Sequence, residues 1–178
     1  VLTSEPTANM TLTLSDNDST EVSASPTTLS FSSGNWSTSK VVTLTGMDDN
    51  VSDDNQTTLL TLTPSGGDYG SVSAQTLTVT TMDNDTVGLV LSESEALVSD
   101  NGSISDNFSV VLRSEPTANV TVTVGDNDST EVSASPTTLT FSPGDWSTVQ
   151  WVTLLGVDDN VSDDNQTTLL TLTPRGGH

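Results

Sequence analysis

The chain has 178 residues and a formal net charge of -21, from 24 Asp and Glu against Lys40, Arg113 and Arg175. That balance excludes a nucleic-acid partner, because neutralising phosphates needs a basic surface, and it argues against anionic membranes. Cysteine is absent, so no disulfide staples the fold, while 59 Ser and Thr, a third of the chain, favour strands and turns over long helices. No amphipathic helical period of three turns appears, and no apolar run is long enough to span a bilayer, so an export signal or anchor is expected outside this segment.

Residues 1–67 return at 111–177 with a constant offset of 110, identical at 53 of 67 positions, whereas residues 68–110 occur once. The repeating unit is thus about 110 residues long. Its phase is read from Asp83-Asn84-Asp85, a polar break after an apolar-alternating run. A new unit starts near Thr86, which predicts two domains: 1–85, lacking its first strands, and 86–178, lacking its last.

In chain order, period-2 alternation predicts strands at Val41–Leu44, Leu59–Leu62 and Thr76–Thr81, then at Val87–Leu91, Phe108–Leu112 and Val120–Val124. Glu131–Ala134, Thr138–Phe141, Val149–Leu155 and Thr167–Leu172 follow, the third of these after the turn Ser142-Pro143-Gly144-Asp145. About seven short strands per unit, with turns between them, read as an all-β protein built of tandem antiparallel, immunoglobulin-like sandwiches. Trp36 and Trp146 are expected to follow turns, begin strands and close the core or its rim.

The segment from Asp48 to Pro64 is repeated letter for letter from Asp158 to Pro174. It carries Asp48, Asp49, Asp53 and Asp54, and their copies Asp158, Asp159, Asp163 and Asp164, on a loop between two strands. Such a loop repels itself without a cation, and oxygen donors of this kind suit hard divalent ions, Ca2+ above all. Asp16 with Asp18, and Asp126 with Asp128, are candidates for further ligands from the neighbouring loop, with an Asx turn as the alternative. They are not EF-hands, since the required Gly and the twelfth-position Glu are missing.

All 12 Asn are followed two positions later by Ser or Thr with no Pro between, the acceptor pattern for N-glycosylation. The alternative is that turn-forming Asn and strand-forming Thr adjoin by local grammar. Asn9, Asn55, Asn101, Asn107, Asn119 and Asn165 are the favoured acceptors, because they fall away from the acidic ligands. Glycans would place the protein outside the cell or on its surface. Catalysis finds little support: the one His is terminal, Cys is absent, and no Ser lies beside a base that could activate it. Paired carboxylates could serve glycoside hydrolysis, yet these pairs recur once per unit, whereas an active site is normally made once. The chain is expected not to be an enzyme.

Leu139-Thr140-Phe141-Ser142-Pro143-Gly144-Asp145-Trp146, then Val152-Thr153-Leu154 and Val157-Asp158-Asp159, then Leu77-Thr78-Val79-Thr80 with Asp83-Asn84-Asp85, resemble the Calx-beta motif, especially its bacterial tandem-repeat branch. The resemblance covers the whole unit and implies a sandwich that binds calcium at one end. It implies as ligands the pairs Asp48 with Asp49 and Asp158 with Asp159, an acid beyond each pair, Asp100 after the first strand, and the tail acids Asp83 and Asp85. Asp100 replaces a Glu and Asn84 a middle Asp of the family pattern, which lowers the ligand charge. The implied function is a structural module of an extracellular repeat protein, a stalk, fibre or filament; the alternative is an adhesin-type module that binds sugar or protein. Copies of itself, adjoining repeats and attached glycans are the expected partners.

Two further expectations come from comparing the copies. The edge beside Thr167–Leu172 needs a cover, from further chain or from a strand of another molecule. Between the copies, Ser39, Val41 and Thr45 become Val149, Trp151 and Leu155, while Val42 and Leu44 stay as Val152 and Leu154. The constant parity should face the core, and Val149, Trp151 and Leu155 should contact a neighbouring domain or subunit.

Overall fold

Alternation of Thr or Ser with Leu, Val or Phe gives each strand one apolar face, and the only way to bury two such faces is to lay sheet on sheet. The computed structural model describes residues 1–162 and 164–177, which divide into two units, Val1–Asp49 with Asp53–Asp83, and Asn50–Ser52 with the chain from Asn84 onward. Both are antiparallel and all-β.

In the first unit, β1 (Met10–Asp16), β2 (Val22–Ser25), β3 (Thr28–Phe31), β4 (Thr43–Gly46), β5 (Gln56–Ser65) and β6 (Gln75–Thr81) form a four-stranded sheet in the order β3-β1-β5-β6 and a two-stranded sheet β2-β4. A single 3-10 turn, Gly67–Ser71, links β5 to β6. Leu14, Val22 and Leu60 make the buried centre, with Leu44, Leu62 and Val79 against it.

The second unit contains β7 (Leu89–Leu91), β8 (Ser105–Leu112), β9 (Val120–Asp126), β10 (Val132–Ser135), β11 (Thr138–Phe141), β12 (Gln150–Gly156) and β13 (Leu170–Gly176). They form a four-stranded sheet, β10-β12-β8-β7, and a three-stranded sheet, β11-β9-β13. Phe108, Val110, Leu112, Val152 and Leu154 from the first sheet interlock with Val120, Val122, Val124, Leu139 and Phe141 from the second. This is the core of an immunoglobulin-like sandwich. Among the described residues each unit is full where the other is short: β8 and β7 extend the β10-β12 pair but have no counterparts beside β2-β4, and β6 extends β3-β1-β5 but has none beside β11-β9-β13.

Several expectations need correction. Trp36 and Trp146 do not begin strands; they lie in the turns before them, with strand pairing starting only at Thr43 and Gln150. There the side-chain oxygen of Asn35 accepts the Ser32 N–H at 2.8 Å, and that of Asp145 accepts the Ser142 N–H at 2.5 Å. The Asn-to-Asp change between copies therefore keeps the acceptor that closes the turn. The last strand begins at Leu170 instead of Thr167, because among the described residues it is paired on one side alone. On β12, Val152 and Leu154 are buried while Trp151 and Leu155 are 59 % and 43 % exposed, with Val149 exposed just before the strand. Among the described residues no helix is long and apolar enough to cross a membrane.

Candidate metal centre

The β2–β4 ladder pairs Val22 with Gly46, so Glu21 comes to lie beside Met47, whose N–H donates to the Glu21 carbonyl at 2.8 Å. This brings Glu21 alongside the start of the Asp48-Asp49 loop. Carboxylate oxygens of Glu21, Asp49 and Asp53 lie within 4.8 Å of one another, the one such group among the described residues. Glu21 is half-buried, and Asp49 and Asp53 are exposed.

Asp83, just beyond β6, organises the far side of the loop. Its Oδ2 accepts the N–H groups of Asp53 at 3.2 Å and Asp54 at 3.1 Å, and its own N–H donates to Asn55 Oδ1 at 3.0 Å. Asp54 adopts φ +65°, a left-handed conformation that Asp tolerates better than most residues, and both amides thereby turn toward one carboxylate. Loss of solvation, and then the negative charges of Asp53, Asp18, Asp49 and Asp83, raise the Glu21 pKa above its ordinary 4.5.

The sequence-predicted residues are therefore treated unequally. Asp49, Asp53 and Asp83 converge with Asp18 on Glu21, whereas Asp48 and Asp54 share the loop outside the triad. Asp18 and Asp128 form Asx turns, each Oδ1 accepting the N–H of the residue two positions on, Thr20 or Thr130, at 3.1 Å. Asp16 and Asp126 are the last residues of their strands, opposite Leu60 and Leu170. Asp85 contributes its backbone carbonyl to a 3.4 Å bond from the Ser52 hydroxyl.

In the second unit, Glu131 repeats the backbone contact of Glu21, its carbonyl accepting the Val157 N–H at 2.9 Å. Asp158 follows, Asp159 closes a local turn by accepting the Val161 N–H at 2.7 Å, and the Asp164 carbonyl accepts from Gln166 at 3.2 Å. Asp163, the counterpart of Asp53, lies outside the described residues. Asp100 sits in the turn that passes Gly156, where a Cβ would stand 2.0 Å from the Ser99 carbonyl oxygen. Only glycine lets that turn approach the head of the acidic loop.

Asn55 does not fall away from the acidic ligands as expected, because its amide oxygen holds Asp83. Asn101 is likewise engaged, accepting the Ser103 N–H at 3.0 Å beside Asp100. Asn9, Asn107, Asn119 and Asn165 are exposed. Asn17 and Asn127 have a structural task in both units: each amide oxygen accepts a backbone N–H, from Leu59 in β5 and from Leu169 just before β13, at 2.5 Å.

Sequence reasoning missed Glu21. Its signal was present in the invariant Glu that follows Asp-Asn-Asp-Ser-Thr in both copies, but only the β2–β4 register shows that this residue faces the acid loop. No protein-family model matches the chain, and no curated protein matches it.

Proposed function

We propose that this chain is a structural stretch of an extracellular repeat protein of Calx-beta type, a stalk, fibre or filament segment, stiffened by Ca2+ and coated with N-linked glycan. The observation that carries the reading is the convergence of Glu21, Asp49 and Asp53 at one end of a unit whose sequence recurs once along the chain. The donor set fits a hard cation: it is all oxygen, and calcium ligands at roughly 2.3–2.6 Å from one ion span about the separation seen among these carboxylates. Glu21, Asp49 and Asp53 would hold the ion, with Asp83 fixing the loop through backbone N–H groups instead of binding the metal. Repetition fits a structural role, because tandem sandwiches add length and each junction can reuse the same residues.

Asn9, Asn107, Asn119 and Asn165 are the glycan acceptors in this reading, and Asn55 and Asn101 are weaker candidates because their amides are engaged. Val149, Trp151 and Leu155 give the outer face of β12 an apolar patch suited to a neighbouring repeat or subunit. The reading is non-enzymatic.

Thermal melting with calcium and with a chelator tests it. At calcium about 100-fold above its dissociation constant the folded state gains about 2.7 kcal/mol, which for a unit of this size raises Tm by about 10–20 °C. Equal melting temperatures would remove the metal from the proposal.

A further inference from the structure

Asn107 is the one Asn among the described residues that lies inside a strand. Strands disfavour Asn, whose short polar side chain competes for backbone hydrogen bonds and packs poorly on a pleated surface. Asn17, Asn35, Asn55, Asn101 and Asn127 each use the side-chain oxygen to accept a backbone N–H. The Asn107 side chain makes no hydrogen bond among the described residues. Its neighbours Phe108 and Val110 point into the core, so Asn107, Ser109 and Val111 point out, with Asn107 exposed.

On β12, Thr153 stands opposite Asn107, Trp151 opposite Ser109 and Leu155 opposite Ser105. These three share the outer face, since Val152 and Leu154 are buried. Asn107 therefore has Trp151 on one diagonal and Leu155 on the other, each about 7–8 Å away, a span that long side chains bridge. Small residues leave both apolar groups uncovered: Ser109 and Ser105 on β8, and Ser133 of β10 on the far flank of Leu155. The first copy carries Val41 and Thr45 at the places of Trp151 and Leu155, while the residue opposite Asn107 is Thr in both copies.

We propose that a glycan attached to Asn107 lies down over Trp151 and Leu155, so that the cover of this apolar surface is the protein's own sugar. The proposal rests on the glycan-coated reading above and names, for one acceptor, what the sugar packs against. Asn107-Phe108-Ser109 meets the acceptor pattern. In the transfer, Asn107 Nδ2 bonds to C1 of a sugar carried on a polyprenyl pyrophosphate, the C1–O bond breaks, and the amide proton leaves with the pyrophosphate; nothing is oxidised or reduced. Transfer takes place on the unfolded chain, so later strand pairing does not bar it. A pyranose presents a face of C–H groups, and an indole takes such a face flat against its π surface, removing apolar area from water on both sides. What remains for a neighbouring repeat is Val90, Val111 and Val149, the last two each four positions along their strand direction from the Asn107–Thr153 pair.

The whole chain is secreted from a glycosylating host, and glycopeptide mass spectra read occupancy at each Asn. Tm and acrylamide quenching of tryptophan are then compared for the parent, Asn107→Gln, Trp151→Val and the double variant, Val being the residue of the first copy at that place. The same four proteins from a host that adds no glycan supply the sugar-free reference. The expected result is an occupied Asn107 whose loss lowers Tm by about 4–8 °C, the shift that one aromatic contact gives in a domain of this size, and increases quenching. Both effects should vanish in the Trp151→Val background and in the sugar-free set. An unmodified Asn107 beside glycosylated Asn9, Asn119 and Asn165 overturns the proposal and leaves the glycan reading standing. Equal shifts with Trp151 and with Trp151→Val overturn it too, since the sugar is then attached but not packed. Absence of glycan at all four sites removes the glycan reading and this proposal with it.

Discussion

Asp48–Pro64 and Asp158–Pro174 are one sequence in two settings. In the first, β5 runs from Gln56 to Ser65 between two partners, Thr58 and Leu60 are fully buried, and the loop before it is drawn onto Asp83. In the second, β13 starts only at Leu170, Leu169 is 66 % exposed, and residues 164–169 form no strand. The mirror case is β4, confined to Thr43–Gly46, against β12, which spans Gln150–Gly156 beside β8. Strand length here is decided by the neighbour: β propensity is largely a measure of packing on a half-buried surface, and without the surface it has little to act on.

The largest effect expected to sharpen the comparison is at the paired leucines. Leu60→Ala removes a side chain buried between two sheets and should destabilise the first unit by about 2–5 kcal/mol. Leu170→Ala, the same change in a half-buried site, should cost about 1 kcal/mol or less in the second. Chemical denaturation of each single variant checks this, and similar costs would mean that the missing neighbour matters less than the shared sequence.

A smaller effect tests where the copies should agree. Asn17→Ala and Asn127→Ala each remove the acceptor of an exposed backbone N–H, which water then takes over, so both should lose about 0.5–1.5 kcal/mol, equally within error. Unequal losses would show that the open side of β13 also weakens its paired side.

At Thr58 the sign reverses. Its hydroxyl is buried without a hydrogen-bond partner, so Thr58→Val, nearly the same shape, should stabilise the first unit by about 1 kcal/mol. Thr168→Val, at a partly solvated site, should change stability hardly at all, and melting of the two variants makes the comparison.

The smallest expected effect is the pH response of metal-free protein. Glu21 titrates above 4.5 when folded, so its ionisation opposes folding; that opposition disappears as pH falls through the raised value toward 4.5, and the first unit gains stability. Asp18, Asp106 and Asp145 are lowered from 3.8, chiefly by hydrogen bonds from Thr20, Leu97 and Ser142, so their contribution holds above 3.8 and is lost below it. Tm should therefore rise on mild acidification and fall in stronger acid. Glu21→Gln should flatten the rise in a Tm against pH series, leaving the fall intact.

The sequence by itself determined the repeat, the all-β class and the parity of β12, because these depend on local alternation and on self-comparison. Val152 and Leu154 inside with Trp151 outside needed nothing beyond the period of a strand. It also determined that carboxylates would crowd one loop per unit. Tertiary structure decided which of them meet: Glu21 joins Asp49 and Asp53 through the β2–β4 register, and Asp83 takes the amides of Asp53 and Asp54 because β6 lies beside β5. It alone also decided where β5 and β13 begin. Those are contacts between residues far apart in the chain, and an identical stretch of sequence cannot encode which neighbour it will find.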